Sequence, residues 1–182
     1  MADTWVISDT HFRHANLLNF RGHDGNLVRG NLFDSIDQHD EYIIAQWNRY
    51  VKPSDTVYHL GDVCFKDTEW FENNWPRLNG RVNLVVGNHD NIKYLATGGF
   101  FEKIMMWRMM PEFGLLLTHV PVEKKSAALW GSKDIGLRKE PIQLLNVHGH
   151  IHENPSPEGP YRCVSVEQID YTPINIEELR IK

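Results

Sequence analysis

"RVNLVVGNHD", residues 81 to 90, is the stretch on which the fold reading turns. Val82, Leu84, Val85 and Val86 form a nearly continuous apolar run, the pattern of a strand buried on both faces, as in a parallel sheet. The Asn79-Gly80 pair turns the chain into this strand and Gly87 ends it. Two similar runs precede it. "TWVIS" at 4 to 8 stops at Asp9, and "DTVYHLGD" at 55 to 62 stops at Gly61-Asp62, so each strand delivers a carboxylate at its tip. Between them, residues 37 to 50 carry Tyr42, Ile43, Trp47 and Tyr50 as a helical stripe closed by the break at Pro53. Residues 67 to 78 suggest a second helix, shortened by Pro76. The first half of the chain therefore reads β-α-β-α-β.

The second half is richer in strands. "EKIMMWRMM" (102 to 110) and "GLLLTHVP" (114 to 121) read as two strands of a hairpin joined by "PEFG". "PIQLLNVHGH" (141 to 150) is a further strand, and "YRCVSV" (161 to 166) the last. Trp47, Trp70, Phe71 and Trp75 are expected in the core, and His59 in a structural role. The charged, Gly-containing stretch 123 to 140 reads as a loop or partly helical flap, and its Lys124, Lys125, Lys133, Arg138 and Lys139 could guide an anion. The alternation first and strands later imply an α/β architecture with a two-layer sheet core flanked by helices.

At 182 residues and 41% hydrophobic, the chain suits a single domain spanning 1 to 182 with a sizeable core. A formal charge of -5 argues against a basic nucleic-acid platform, although a local positive site can still hold an anion. Cys64 and Cys163 are too few and too distant for a disulfide framework, so free thiols in a reducing compartment are expected. The start of the chain lacks a signal-peptide pattern, and no apolar stretch approaches the ~20 residues of a membrane span. A soluble, cytoplasmic protein follows as the expectation.

Ligand-type residues recur at the strand ends: Asp9 and His11, Asp62, Asn88 and His89, His119, then His150 and His152. In "NVHGHIHENP" (146 to 155), His148, His150 and His152 alternate and would share a face if the chain stayed extended through Gly149. Neutral imidazole is the commonest metal ligand, and carboxyl ends of strands are where sites assemble in open α/β sheets. Each piece alone is weak, since an Asp at a strand tip is often only a turn or cap residue.

Together the blocks D-x-H, G-D, G-N-H-D, H and G-H-x-H, running from Asp9 to His152, resemble the calcineurin-like metallophosphoesterase superfamily. The opening "DTHFRHANLL" is similar to small bacterial and phage members. The resemblance implies a four-layer α/β/β/α sandwich with the metal site at strand ends. It also implies that Asp9, His11, Asp62 and His152 hold one divalent ion, while Asp62, Asn88, His119 and His150 hold another, with Asp62 bridging. His89 would reach the phosphate and help the leaving group depart. His148 is left for a supporting or buried role. Asp90 is expected to orient His89 or to cap a helix beginning at Asn91.

The implied chemistry is hydrolysis of a phosphomonoester or phosphodiester, a nucleotide among the candidates, by a metal-bound hydroxide. Two divalent ions against Asp9 and Asp62 leave a net positive centre, so an acidic protein can still take an acidic substrate. Mixed oxygen and nitrogen ligands suit manganese, iron, zinc, cobalt or nickel, with manganese the expected activator in vitro. Nucleic acid is expected only as a substrate, and no membrane partner is expected. One departure stands out: many relatives continue G-D-x-x-D-R-G, where the second Asp supports the catalytic His and the Arg contacts phosphate, whereas Phe65 and Lys66 occupy those positions here, leaving Asp67 as the candidate substitute for that Asp. Lys is a point charge without the bidentate fork of Arg, so Arg13 and His14, beside the first ligands, and Asn88 are the expected substrate contacts. The competing reading is a non-catalytic metal-binding module for protein interaction on the same fold. Such a module can dispense with a ligand or with the catalytic imidazole, and this chain keeps both. A one-metal hydrolase would leave Asn88 together with Asp62 unexplained.

Overall fold

The computed structural model describes residues 2–122 and 144–180. The basic residues Lys124 to Lys139 and the first residues of the 141–150 run lie outside that range. The elements are β1 (Thr4–Ile7), α1 (Ile36–Tyr50), β2 (Thr56–His59), α2 (Thr68–Asn74), β3 (Arg81–Val85) and α3 (Ile92–Thr97). They continue with β4 (Lys103–Met105), β5 (Trp107–Met110), β6 (Leu115–Thr118), β7 (Leu145–His148), β8 (Tyr161–Cys163), β9 (Ile174–Asn175) and α4 (Ile176–Leu179). One sheet has the order β4-β3-β2-β1-β9 and the other β5-β6-β7-β8. β1 to β4 are mutually parallel, with β9 antiparallel at the edge. β6, β7 and β8 are parallel, with β5 antiparallel. Val6, Ile7, Val57 and Leu84 of the first sheet share one buried apolar cluster with Leu115, Leu117, Val147 and Val164 of the second. The α/β fold expected from the sequence is the one observed.

Helix α1 starts where Ser35 accepts the Gln38 amide, and it buries Ile43, Ile44 and Trp47. Asp67 caps α2 by accepting the Trp70 amide, and Pro76 sits in the tight 3-10 turn that follows. Trp47, Phe71 and Trp75 are buried as expected. His59 is buried and structural, with Nδ1 accepting the Gly61 amide (3.1 Å) and Nε2 bonded to Thr10 Oγ1 (3.0 Å).

Two strand boundaries differ from the sequence expectation. The 102 to 110 run is two strands in different sheets: β4 extends the first sheet parallel to β3, and β5 pairs with β6 in the second. Met106, 67% exposed, lies at the crossover. A continuous apolar run hides this break, because each sheet needs an edge strand of the same composition. In the second case, "YRCVSV" is not last. β9 follows it and returns to β1, while Ser165 forms a bridge to Ser8 that ties the two sheets together.

Asp55 anchors the amino-terminal edge of the first sheet. Buried, it accepts bonds from the Asp3 amide (3.0 Å), the Lys52 amide (2.9 Å) and Trp5 Nε1 (3.0 Å). Burial pushes its pKa up, but the three donors outweigh it and hold the carboxyl below the ordinary carboxylate value. A depressed folded-state pKa stabilises above the unfolded value and is lost as pH falls through the folded one. Asp55→Ala is expected to lower unfolding stability by about 3 kcal/mol at neutral pH in a urea titration. The gap between the two proteins should narrow as the titration is moved below the ordinary carboxylate value of 3.8 and toward the lower folded-state one.

Candidate metal centre

All the ligand-type residues named from the sequence lie beyond the carboxyl ends of parallel strands: Asp9 and His11 after β1, Asp62 after β2, Asn88 after β3, His119 after β6, and His150 and His152 after β7. The turns that carry them are unusual. Asp9 (φ 59), His11 (φ 47), Asp62 (φ 56), His150 (φ 71) and His152 (φ 51) are all left-handed, a conformation that costs a non-glycine residue roughly 1–2 kcal/mol. This corrects the picture of His148, His150 and His152 on one face of an extended strand. β7 stops at His148, which is buried, donates from Nδ1 to the Gly149 carbonyl (2.9 Å) and bonds Ser156 Oγ through Nε2 (3.1 Å). Only His150 and His152 turn back toward the other ligands.

Backbone bonds weld these turns to one another. Asp9 N donates to the Gly61 carbonyl (3.0 Å) and His11 N to that of Asp62 (3.0 Å). The Asp90 carboxylate accepts the amides of Gly87 (2.7 Å), Val63 (2.9 Å) and Asp62 (3.1 Å), stitching the β3 turn to the β2 turn. Asp90 therefore neither orients His89 nor caps α3. Asn91 supplies the cap by accepting the Tyr94 amide.

The result is two groups whose ligand atoms lie within 4.8 Å of one another: Asp9, His11 and His152 in one, Asp62, His119 and His150 in the other. Asp62 joins them. Its Oδ1 accepts the His89 amide (2.8 Å), while Oδ2 stands 3.5 Å from Nε2 of both His11 and His119. Asn88 Oδ1 is 2.9 Å from His119 Nε2. A carbonyl oxygen can only accept, so the His119 contact to the Leu60 carbonyl (2.7 Å) makes Nδ1 a donor and points Nε2 at two oxygens, Asn88 Oδ1 and Asp62 Oδ2. Burial lowers the His119 pKa, but the bond to Asp62 and the charges of Asp9 and Asp62 raise it above the ordinary imidazole value, so a cation at Nε2 takes the place of a proton. Likewise the His152 Nδ1 contact to Glu167 Oε1 (2.9 Å) turns its Nε2 toward the site.

The donor set fits divalent cations. Asp9 Oδ2 is satisfied by the His150 amide (2.9 Å) and Ser165 Oγ (2.9 Å), but its Oδ1 and the His11 Nε2 are buried without any hydrogen-bond partner among the described residues. Leaving two lone-pair atoms desolvated and unpaired is expensive unless a cation sits between them. Electrostatics agrees with this. Burial raises the Asp9 pKa, and burial also drives His11 down to about 2, with the Arg29 charge adding to it. Burial pushes Asp62 up as well, yet His119, the His89 amide and His11 pull it well below the ordinary carboxylate range. The site keeps His11 as a neutral ligand and Asp62 as an anionic one.

Arg13 and Asp67 are engaged with each other, away from the ligands. The Arg13 guanidinium pairs with Asp37, Asp40 (3.5 Å) and Asp67 (3.4 Å) and lies over Trp70, so it does not reach the ligands. Asp67 is thereby engaged with Arg13 and the α2 cap and does not support His89. The exposed His89 ring instead stands edge-on to His11 (5.6 Å between centroids) and Phe65 (6.4 Å), and it makes no hydrogen bond among the described residues. His14 contacts Phe65 as well (3.8 Å) and lines an open cleft of about 1070 Å³ together with His11, Phe20, Arg21, His89 and His152. A second cavity of about 380 Å³ borders Phe65, Lys66, Asn88, His89 and Asn91. Sequence reasoning missed Arg29, His39, Asp40 and Glu167, the buried polar residues behind the first group. A buried Arg some twenty residues after the D-x-H block had no local motif to mark it.

This combination of fold and ligand geometry is that of a metallophosphoesterase. The profile of the calcineurin-like phosphoesterase family matches residues 3–178, and the chain belongs to that family. It is similar to "Uncharacterized protein MJ1445" of Methanocaldococcus jannaschii, 28% identical over 97% of this chain and 89% of that one. It is also 33% identical to the "Gene 66 protein" of Mycobacterium phage L5, over 50% of this chain and 41% of the relative. Among solved structures, the protein of unknown function AQ665 from Aquifex aeolicus superposes with a TM-score of 0.71, at 28% identity and 98% coverage of both chains. No helix among the described residues is long and apolar enough to cross a membrane.

Glycines permit the close approach of the turns. A Cβ at Gly149 would overlap Ser8 Oγ and the Asp9 carboxylate, and one at Gly87 would overlap Asp62. Gly149→Ala is accordingly expected to abolish manganese uptake measured by calorimetry. Gly25→Ala, whose Cβ meets nothing, should lose only about 1 kcal/mol for its left-handed φ and keep full uptake.

Proposed function

We propose that this protein is a dinuclear metal-dependent phosphoesterase, acting on a phosphomonoester or phosphodiester of small-molecule size, with nucleotides among its candidate substrates. The observation that carries the reading is Asp62 Oδ2, equidistant at 3.5 Å from His11 and His119 and so able to serve both ligand groups. Asp9, His11, Asp62 and His152 are the proposed holders of one ion, and Asp62, Asn88, His119 and His150 of the other. Such ions, when bound, lower the pKa of water toward ~7 and polarise a phosphoryl oxygen.

The chain's own residues account for the rest. Asp62 and Asp9 return two negative charges to the centre, leaving it positive enough to draw a phosphate. His89 is fixed at its backbone by Asp62 and lines both cavities. It is suited to meet the leaving oxygen and supply its proton. His14 and Arg21 on the wall of the larger cleft are the proposed contacts for the remaining anionic or polar parts of the substrate. Phe20, half exposed on that wall, offers an apolar ring to the substrate's organic portion.

The test is a manganese-supplemented panel of aryl phosphate, bis-aryl phosphate, cyclic nucleotides and nucleotides. Turnover on at least one member is expected, with loss in Asp62→Asn. His89→Asn should keep two bound ions and lose roughly 10²–10⁴-fold in kcat. Its deficit should be largest on alkyl esters, whose alkoxide needs a proton, and smallest on aryl esters, whose phenolate leaves unaided. Inactivity of the native protein across the panel, or undiminished turnover in Asp62→Asn, would overturn the reading.

A further inference from the structure

Arg29 is fully buried, far from any surface that would explain a guanidinium. Its nitrogens reach Glu167 Oε1 from Nε (2.8 Å) and Nη2 (2.7 Å), the Asp9 carbonyl from Nη2 (2.7 Å), the Thr10 carbonyl from Nη1 (3.0 Å) and His39 Nε2 from Nη1 (2.9 Å). His39 Nδ1 bonds the Asp40 carboxylate (2.8 Å) and so donates there, which frees Nε2 to accept from Arg29. A buried charge this well compensated can be purely structural, and many such networks are replaceable by apolar groups. Here the location of the partners argues otherwise.

Four of these five bonds end on three groups that set ligands. Glu167 Oε1 also receives His152 Nδ1, so the arginine holds the carboxylate that selects the tautomer and the angle of that ring. The Asp9 and Thr10 carbonyls belong to the left-handed turn that aims Asp9 and His11. None of its bonds touches the other group: His119 is oriented by the Leu60 carbonyl, and Asp62 by the His89 amide. We propose that Arg29 and Glu167 are positioning residues for the ion site made by Asp9, His11 and His152, and that the side chains of the opposite site take their orientation from other groups. A lysine could not replace the arginine, because one ammonium cannot present a planar fork to a carboxylate and two carbonyls at once.

The inference rests on the metal-dependent reading above, and its test reads binding in place of turnover. Manganese or cobalt is titrated into the full chain by calorimetry, with Glu167→Gln, Arg29→Lys and His119→Asn alongside the native protein. Two ions are expected in the native protein. Glu167→Gln should keep one ion at native affinity and bind the other roughly 10–100-fold more weakly. Electron paramagnetic resonance at one equivalent of manganese should then show an isolated ion in place of a coupled pair. His119→Asn should weaken the opposite site. Glu167→Gln preserves volume and an accepting oxygen, so it decides the matter should Arg29→Lys fail to fold. A measurement on the native protein stands beside it: the zinc-loaded form should show a slowly exchanging Nδ1 proton on His152. Equal weakening of both ions in Glu167→Gln, no weakening of either, or an Nε2-protonated His152 would overturn the proposal. A native protein that binds two ions but hydrolyses nothing would sink the phosphoesterase reading and leave this one standing, whereas one that binds no ion would sink both.

Discussion

The centre depends on how closely two sheets bring their strand ends together. Gly149, at the end of β7, lies against Ser8 and Asp9 at the end of β1, with no room for a single methyl group. The Ser8 amide bonds the Val164 carbonyl (2.9 Å), and the Val166 amide bonds the Ser8 carbonyl (3.1 Å), so the first sheet is continued sideways into the second. Once that seam is closed, turns from β1, β2, β3, β6 and β7 have little freedom left. The left-handed conformations of the ligand residues are its consequence: each chain must reverse within a residue or two of its strand to stay in the seam. Strain of this kind persists where surrounding structure over-determines it, and here the buried backbone bonds between the turns do so.

A protein that packs two carboxylates and several imidazoles into such a seam concentrates lone pairs. In the metal-free chain the consequences are visible in the protonation equilibria. Burial raises the Asp9 carboxyl, burial forces His11 down to about 2, and Asp62 goes down because its imidazole and amide neighbours outweigh its burial. A proton on Asp9 neutralises that carboxyl alone, whereas a divalent cation gives Asp9 Oδ1 and the neutral His11 Nε2 a partner at once. Cation binding then adds directly to the stability of the folded state, since the unfolded chain offers no preformed site. Folding strain and metal affinity are two sides of one free-energy balance.

The portion of this that was legible in the sequence follows from locality. Asp9, Asp62, Asn88, His119, His150 and His152 each sit at the end of a β-rich run, so the short blocks carried both a strand boundary and a chemical group. The β-α-β-α-β alternation of the first half was equally readable, and it folds into the parallel β1, β2 and β3. What was not legible is non-local or hidden by uniform composition. Arg29 and Glu167 are separated by 138 residues, and neither lies in a block with a recognisable spacing. The division of residues 102 to 110 between two sheets leaves no mark, because it falls inside the unbroken apolar stretch Ile104 to Trp107. The three alternating histidines were misleading for the same reason. Alternation implies one face only while the backbone is extended, and the need to bring His150 within reach of His119 ends the strand at His148.

The same distinction separates what the fold says about reaction from what it says about substrate. The ligands belong to turns locked between sheets, and a relative at 28% identity keeps the fold at a TM-score of 0.71 over nearly the whole chain. The walls of the cleft are of another kind. Phe20 and Arg21 come from the irregular connection between β1 and α1, Phe65 and Lys66 from the β2 turn, and Glu153 and Asn154 from the loop before β8. Few of their side chains are held by the seam: Phe20 is half exposed, and Lys66 Nζ rests over the Phe65 ring at 4.9 Å. Loops on a rigid scaffold can exchange such side chains at little cost to folding. His89 lies at the border of the two regimes, with its backbone amide held by Asp62 and its exposed ring edge-on to Phe65 at 6.4 Å between centroids. The His89 ring lines both cavities and makes no hydrogen bond among the described residues, so nothing there selects which of its nitrogens carries the proton.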